Sequence, residues 1–558
     1  MSTDNAKKNA DYLKQGGILA IASLIVRFIG MVYRIPMSNI LGETGNGIYA
    51  VAFEIYDVLL VISSYSLPLA LSKIISAQQA KRQHKNTGKT LSVALIFAVC
   101  SGGFFCLFLF FGAGLIEKYI YPEYSGVQIP LRVLAPTIFI VALLGVFRGF
   151  FQGKKTMVPT AVSQIFEQVV NAVVSVAASY LFMKWNVESL QQAAWGAAGG
   201  TLGTCLGAAS ALLLILFVYW IYRPVQKKME KRDRHQTASS RHLFYLLLIT
   251  IFPIVLSQTV YNISGLIDYK IFGWLSSDTG LDSQTISSLV GVYSSKYRLL
   301  CSVPIAISTA VASSMIPSAV AAYTENDVEQ WNYNVSSGIK FNMIVAIPCA
   351  VGFMMLGQPI VKMLFSSSGL VAGQPIYALG GHMLTVGAAA IIFYALSNMT
   401  GGALQSIDKM NLPVIHSAIS LALHILLVMG LLKYTQLGIY ALIIGNVTFP
   451  AVVYILNFLA VKRYVPSYRQ EIVKTFGAPI AAALWMAVAI ALTYQGLSLF
   501  VASNMIKTLA AIAVAMFVYF SVFLLLNGLT KEELFDFPMG RRIYILACKL
   551  HLMNGGSK

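Results

Sequence analysis

The chain is 558 residues long, 57% hydrophobic and only 11% charged, with a mean hydropathy of +0.71. That is too apolar for a soluble protein of several domains, so the sequence describes an integral membrane protein. A formal net charge of +18 would suggest nucleic acid or another anionic partner in a soluble protein, but here the basic residues fall in alternate connections between apolar stretches, as membrane topology requires.

A membrane span needs about 20 apolar residues. Fourteen stretches qualify, at 16–41, 47–77, 90–116, 128–152, 156–183, 194–222, 242–275, 286–321, 338–365, 376–405, 411–432, 436–461, 475–497 and 501–528. The polar N-terminus, 1–15, precedes an apolar stretch too long for a signal-peptide core, so the first span is expected to be retained. The eighth is over-long and carries Pro304 and Pro317, and it should kink or run into the interface. One set of alternate connections, including the run from Arg223 to Arg241, holds 26 of the 40 Lys and Arg residues. The other set holds only Lys118, Lys184, Lys433 and Lys507, which predicts that both termini are cytoplasmic. The loop 322–337 departs from the rule with Glu325, Asp327 and Glu329. Five of the six cysteines lie within apolar stretches and none forms a C-x-x-C, so neither a disulfide framework nor a zinc site is suggested.

Ser66 to Ser72 (Ser-Leu-Pro-Leu-Ala-Leu-Ser) recurs as Ser302 to Ser308 (Ser-Val-Pro-Ile-Ala-Ile-Ser), six spans later. Gln152 and Pro159, around the turn after span four, recur as Gln405 and Pro413 after span ten. Six is even, so the two copies have the same orientation. The predicted fold is therefore an all-α polytopic membrane protein of fourteen transmembrane helices, as two parallel six-helix lobes plus an appended pair. The parts are an N-terminal lobe at 1–222, a basic cytoplasmic linker at 223–241, a C-terminal lobe at 242–462, the appended pair at 463–530 and a cytoplasmic tail at 531–558.

Charge inside spans is the functional signal, because an ionised group near the midplane costs at least about 2.5–3.5 kcal/mol and normally faces protein or a water-filled cavity. Arg27 and Arg34 are two helical turns apart in span one, and Glu54 and Asp57 share a face of span two. These helices read as one wall of a polar passage, although an Arg34–Glu54 bridge that merely joins the two spans would use the same residues. In span five, Gln164, Glu167, Gln168 and Asn171 follow the i, i+3, i+4, i+7 pattern of one face, which suits either a cavity or a hydrogen-bonded seam. Lys296 and Arg298 are deep cations of span eight. Asp268 and Lys270 in span seven read as a local ion pair. Lys73, Arg132, Arg148, Lys340 and Lys362 lie near enough to span ends to snorkel.

No enzyme is indicated. Gly88-Lys89-Thr90 imitates the end of a phosphate-binding loop, but Gln83 stands where its first glycine belongs. No connection is long enough for a nucleotide-binding domain, so transport must draw on an ion gradient, the membrane potential, the substrate's own gradient or a separate energy-supplying partner. No cofactor, nucleotide or nucleic acid is called for.

The six-plus-six-plus-two pattern, Val26 to Gly30 (Val-Arg-Phe-Ile-Gly), Tyr33 to Pro36 (Tyr-Arg-Ile-Pro), Pro68 among small residues, and the Gln405 to Pro413 turn resemble the MurJ and SpoVB-type polysaccharide exporters of the MOP superfamily. The resemblance covers essentially the whole chain. It implies a flippase in the bacterial cytoplasmic membrane that moves undecaprenyl-diphosphate-linked peptidoglycan precursor (lipid II) to the outer leaflet by alternating access. It also implies that Arg27, Arg34 and Arg298 bind the diphosphate; Lys296, a deep cation of the same span as Arg298, is a further substrate-binding candidate from its position alone. The family's span-two arginines have no counterpart, since Glu54 and Asp57 occupy that helix. By the same resemblance Asp268 is the candidate for Na+ or H+ coupling, and the appended pair forms a groove for the lipid tail. Three other readings stay open: a flippase for another lipid-linked oligosaccharide, a drug or cation antiporter, and a non-transporting membrane scaffold.

Overall fold

The computed structural model describes residues 2–365, 369–535 and 540–549, so residues 550–558 of the expected tail, Lys558 among them, lie outside the described residues. Nearly everything described is helical, as hydrocarbon demands: a spanning segment must satisfy its backbone N–H and C=O groups internally. The helices are α1 (Ser2–Leu60), α2 (Leu67–Ala80), α3 (His84–Leu115), α4 (Gln128–Gly153), α5 (Val158–Trp185), α6 (Gln192–Arg232), α7 (Ser240–Asp278), α8 (Ser283–Val292) and α9 (Leu299–Thr324). They continue with α10 (Val328–Leu364), α11 (Ile376–Gly387), α12 (Ala389–Ser406), α13 (Asn411–Tyr434), α14 (Tyr440–Tyr464), α15 (Ala478–Ser498), α16 (Asn504–Leu525), α17 (Lys531–Phe535) and α18 (Gly540–Lys549). A two-stranded hairpin, β1 (Leu370–Val371) with β2 (Gln374–Pro375), precedes α11; its turn residues Ala372 and Gly373 both have positive φ.

Among the described residues, eleven helical stretches are long and apolar enough to cross a membrane, or twelve if α11 and α12, bent by 43°, count as one. The first, Ile21–Ala80, covers all of the second predicted span and the first from Ile21 onward. They are separated inside α1 by Gly42, whose φ of 64° and ψ of 179° only glycine adopts readily. The kink expected in span eight takes the form of a π-helical turn, Tyr293–Arg298, between α8 and α9, upstream of Pro304. A matching π-helical turn, Val61–Tyr65, joins α1 to α2. Each turn lies just ahead of one copy of the repeated Ser-x-Pro-x-Ala-x-Ser motif.

The chain divides into two compact units, Met1–Ser295 and Lys296–Lys558. In the first, buried Leu67, Leu71 and Ile75 of α2 pack with Leu91 and Ala94 of α3, Phe147 and Phe150 of α4, Ile215 of α6 and Leu247 of α7. α5 and α6 form the most extensive helix pair, and α8 crosses α1 with Thr44 Oγ1 2.9 Å from Ser288 Oγ. In the second unit α10 is central, packing against α9, α11, α12, α15 and α16. Large apolar side chains stay on the outside, including Phe104, Phe111, Val173, Leu213 and Phe217 in the first unit and Leu484, Trp485 and Phe517 in the second. Such a surface suits hydrocarbon rather than water.

Candidate functional site

Polar side chains in the first unit gather where α1, α4, α5 and α7 face one another. Arg27 is exposed, whereas Arg34 is half-buried with its guanidinium 5.7 Å from the centre of the Phe53 ring. Phe53 itself stacks on Tyr49 and meets Tyr56 edge-on, so the cation rests on a packed aromatic layer. Tyr33, Tyr49 and Asp57 surround Arg34 electrostatically. Glu54 turns to α7, where a Cβ on Gly265 would come within 2.7 Å of its Oε2.

The stripe on α5 has divided duties. Arg148 of α4 donates from Nη2 to Glu167 Oε2 at 2.7 Å and from Nε to Ser163 Oγ at 3.0 Å. This corrects the expectation that Arg148 snorkels: its side chain is 13% exposed and that of Glu167 25%, and mutual neutralisation stabilises both better than separate solvation at that depth. Asn171 is buried in a seam, with Oδ1 2.8 Å from Ser175 Oγ and Nδ2 donating to Tyr33 Oη at 3.5 Å. Gln168 lies against Gly30 of α1. Gln164 Oε1 is buried without a hydrogen-bond partner among the described residues. The face is thus part ion pair and part helix seam.

Asp268 is buried in α7, but Lys270 reaches away from it to Glu123 Oε1 of the α3–α4 connection, at 2.8 Å. The expected local pair is therefore corrected for Lys270, whose partner lies far away in sequence but adjacent in space.

In the second unit, Lys296 is fully buried, its ammonium 4.8 Å from the centre of the Phe365 ring and its stem against Gly380. Arg298 is half-buried. Between them, the Tyr297 hydroxyl lies 3.2 Å from Gly387 O and 2.9 Å from Asn446 Oδ1, which anchors the π-helical turn to α11 and α14. Lys340, expected to snorkel, is instead buried and donates at 2.8 Å to both carboxylate oxygens of Glu533 from α17. Lys340 and the Thr530 N–H outweigh burial and hold the Glu533 carboxyl below its usual range. Lys73, Arg132 and Lys362 are exposed.

The Arg148–Glu167 pair was legible in principle: both residues lie on the same side of their helices' shared turn at Lys154 and Lys155, and arginine is long enough to reach inward. Glu533 lies 193 residues from Lys340, and no sequence periodicity joins them. Among the described residues, no group of three or more His, Cys, Asp or Glu side chains could hold a metal ion.

The chain matches the family described as "Polysaccharide biosynthesis protein" over residues 12–322, more than half its length, and the MatE family over 253–429. It is 24% identical over 510 residues to the lipid II flippase MurJ of Bacillus subtilis (strain 168), covering 89% of this chain and 91% of that protein. It is 23% identical to the stage V sporulation protein B of the same organism, covering 96% and 99%. A solved inward closed structure of lipid II flippase MurJ superimposes with a TM-score of 0.66 at 16% identity, covering 90% of this chain and 97% of the other. The shared fold and the match across more than half the chain make it a member of the polysaccharide biosynthesis protein family, a MurJ/SpoVB-like membrane transporter of the MOP superfamily.

Proposed function

We propose that this protein is a flippase for a lipid-linked oligosaccharide, and that its substrate is undecaprenyl-diphosphate-linked peptidoglycan precursor (lipid II), carried from the cytoplasmic to the outer leaflet by alternating access. The observation that carries this reading is similarity to the Bacillus subtilis lipid II flippase along almost the full length of both chains. In this reading the chain makes fourteen spans with both termini cytoplasmic, as two parallel six-helix lobes at 1–222 and 242–462. The repeated motif and the π-helical turn ahead of each copy support such a duplication.

A diphosphate cannot enter hydrocarbon with its charge uncompensated. Guanidinium groups replace its water with bidentate hydrogen bonds, which a lysine cannot reproduce. Arg27, Arg34 and Arg298 are the proposed grips. Arg34 is the best prepared, because its guanidinium already sits over the Phe53 ring, 5.7 Å from its centre. Enclosed Lys296 acts through its field rather than by contact. Glu167 is committed to Arg148, so ion coupling by Na+ or H+ falls to Asp268. The polyprenyl tail needs no polar shelter and lies along the exposed apolar face of α15 and α16, where Leu484, Trp485, Val488 and Phe517 are exposed.

A second reading, a flippase for a different lipid-linked oligosaccharide, is favoured by Glu54 and Asp57 in span two, where the family resemblance implies arginines. Complementation of a strain depleted of its own precursor flippase separates the two. Growth is expected with the wild-type gene and none with Arg27→Ala or Arg298→Ala, both accumulating normally in the membrane. Failure of the wild type to support growth rejects the lipid II assignment; growth with both variants rejects the diphosphate grip.

A further inference from the structure

A cavity of about 500 Å³ opens in the first unit where the end of α2 and the beginning of α3 meet the beginning of α7, on the face that carries the basic linker. Lys73 of α2 and Lys81, the residue that ends this helix, line it, eight residues or roughly 12 Å apart along its axis, with His242 opposite on α7. No acidic residue lines it among the described residues, and neither lysine ammonium has an ion-pair or hydrogen-bond partner there. The wall is rigidly built. Asn86 Oδ1 accepts the Ala238 N–H at 2.8 Å and Lys89 Nζ donates to Ala238 O at 2.7 Å, which straps the linker across the start of α3.

Two further features bear on the ligand. Gln78 is buried at the pocket; its Nε2 donates to Thr90 Oγ1 at 2.8 Å, while its Oε1 is buried with no partner. That oxygen has almost no accessible surface, so it is closed to a ligand in the pocket. Apolar Leu246 and Ile249 form the rim and continue at helical spacing to Phe252, all three exposed on the outer surface of α7. The pocket therefore has cations for a phosphate and an apolar exit for an acyl chain.

We propose that this pocket binds the headgroup of an anionic phospholipid, with its phosphate at Lys73, Lys81 and His242 and an acyl chain along Leu246 and Ile249. The site is distinct from the arginines assigned to the transported diphosphate. A free phosphate would satisfy the cations but leave the apolar path unused.

The test is native mass spectrometry of the full chain with phosphatidylglycerol, phosphatidylcholine or inorganic phosphate. Retention of phosphatidylglycerol over phosphatidylcholine is expected, weakened about fivefold by Lys73→Ala or Lys81→Ala and about 25-fold by the double variant, following the usual worth of one basic residue at an anionic lipid. Ala77→Trp fills the pocket without altering charge and should also release the lipid, which keeps the test decisive if the double variant does not fold. Equal retention of the two lipids, or undiminished phosphatidylglycerol binding in Ala77→Trp or in a folded double variant, overturns the proposal. Displacement of the lipid by inorganic phosphate identifies a phosphate-ion site and overturns it as well.

Discussion

A charged side chain within a membrane protein is stabilised mainly by the partner it finds, and Arg148 and Glu167 show how much depends on that pairing. Removing Arg148 leaves a carboxylate that is only 25% exposed without its cation. Arg148→Ala is expected to destabilise the protein by about 2–3 kcal/mol, while the double change Arg148→Met with Glu167→Leu should recover most of that, since an uncompensated charge costs more than an apolar pair. Thermal unfolding of the single and double variants measures the difference. Lys154, at the turn between α4 and α5, offers a pH-dependent counterpart. Its ammonium donates to Tyr222 Oη at 2.9 Å and to Gln226 Oε1, and lies over the Phe150 and Tyr222 rings. Burial pushes it down to about 8 from its ordinary 10.5, with Glu230 opposing. Between those values the unfolded chain holds a proton the folded chain has released, so stability rises with pH across that window. The unfolding temperature of the wild type should therefore rise relative to Lys154→Gln from pH 8 to 10, and parallel curves would contradict the assignment.

At the scale of elements, the α5–α6 pair rests on close backbone approach. Gly199, Gly203 and Gly207 repeat every four residues along α6, and a Cβ on Gly203 would collide with Ser175 Oγ and sit 2.5 Å from Ser175 N. Small residues at that spacing let helices touch in a membrane, where hydrophobic exclusion no longer drives association. Gly203→Val must push α5 away, and with it the Asn171–Tyr33 contact and the Arg148–Glu167 pair. A loss of about 3 kcal/mol is expected, read as a lowered unfolding temperature and reduced membrane yield. A second element, the strap from Asp233 to Ala238, is held by the α3 terminus: Asp233 Oδ2 accepts the Lys85 N–H at 2.8 Å. That bond and the His235 N–H hold the Asp233 carboxyl well below the usual carboxylate range.

For the whole molecule, the placement of basic residues makes a direct topological claim. Cysteines introduced at Lys184 and Lys433 should react with a membrane-impermeant maleimide in intact cells, whereas one at Thr237 should react only after lysis. Labelling of Thr237→Cys from outside would invert the proposed orientation and with it the direction of flipping. Family membership does not depend on this result, because it follows from the match over residues 12–322 and from the fold.

Sequence alone determined that the chain is helical and membrane-embedded, where its long apolar stretches lie, and which charges are buried too deeply to be ordinary. Those properties follow from local composition: hydrocarbon leaves a segment of about 20 apolar residues little choice but helix. It also carried the family, through Arg27, Arg34, Pro68 and the repeated motif. The tertiary structure decided how those charges are used. Glu167 is taken by Arg148, Lys270 by Glu123 and Lys340 by Glu533, while Arg34 settles on an aromatic ring. No periodicity encodes such pairings, because each joins residues from different elements and is chosen by which helices pack side by side. The bend between α11 and α12 escaped hydropathy for a related reason: it is an event in backbone dihedral angles inside an uninterrupted apolar stretch, and composition does not register it, whereas the break at Gly42 falls in the polar gap between the first two predicted spans.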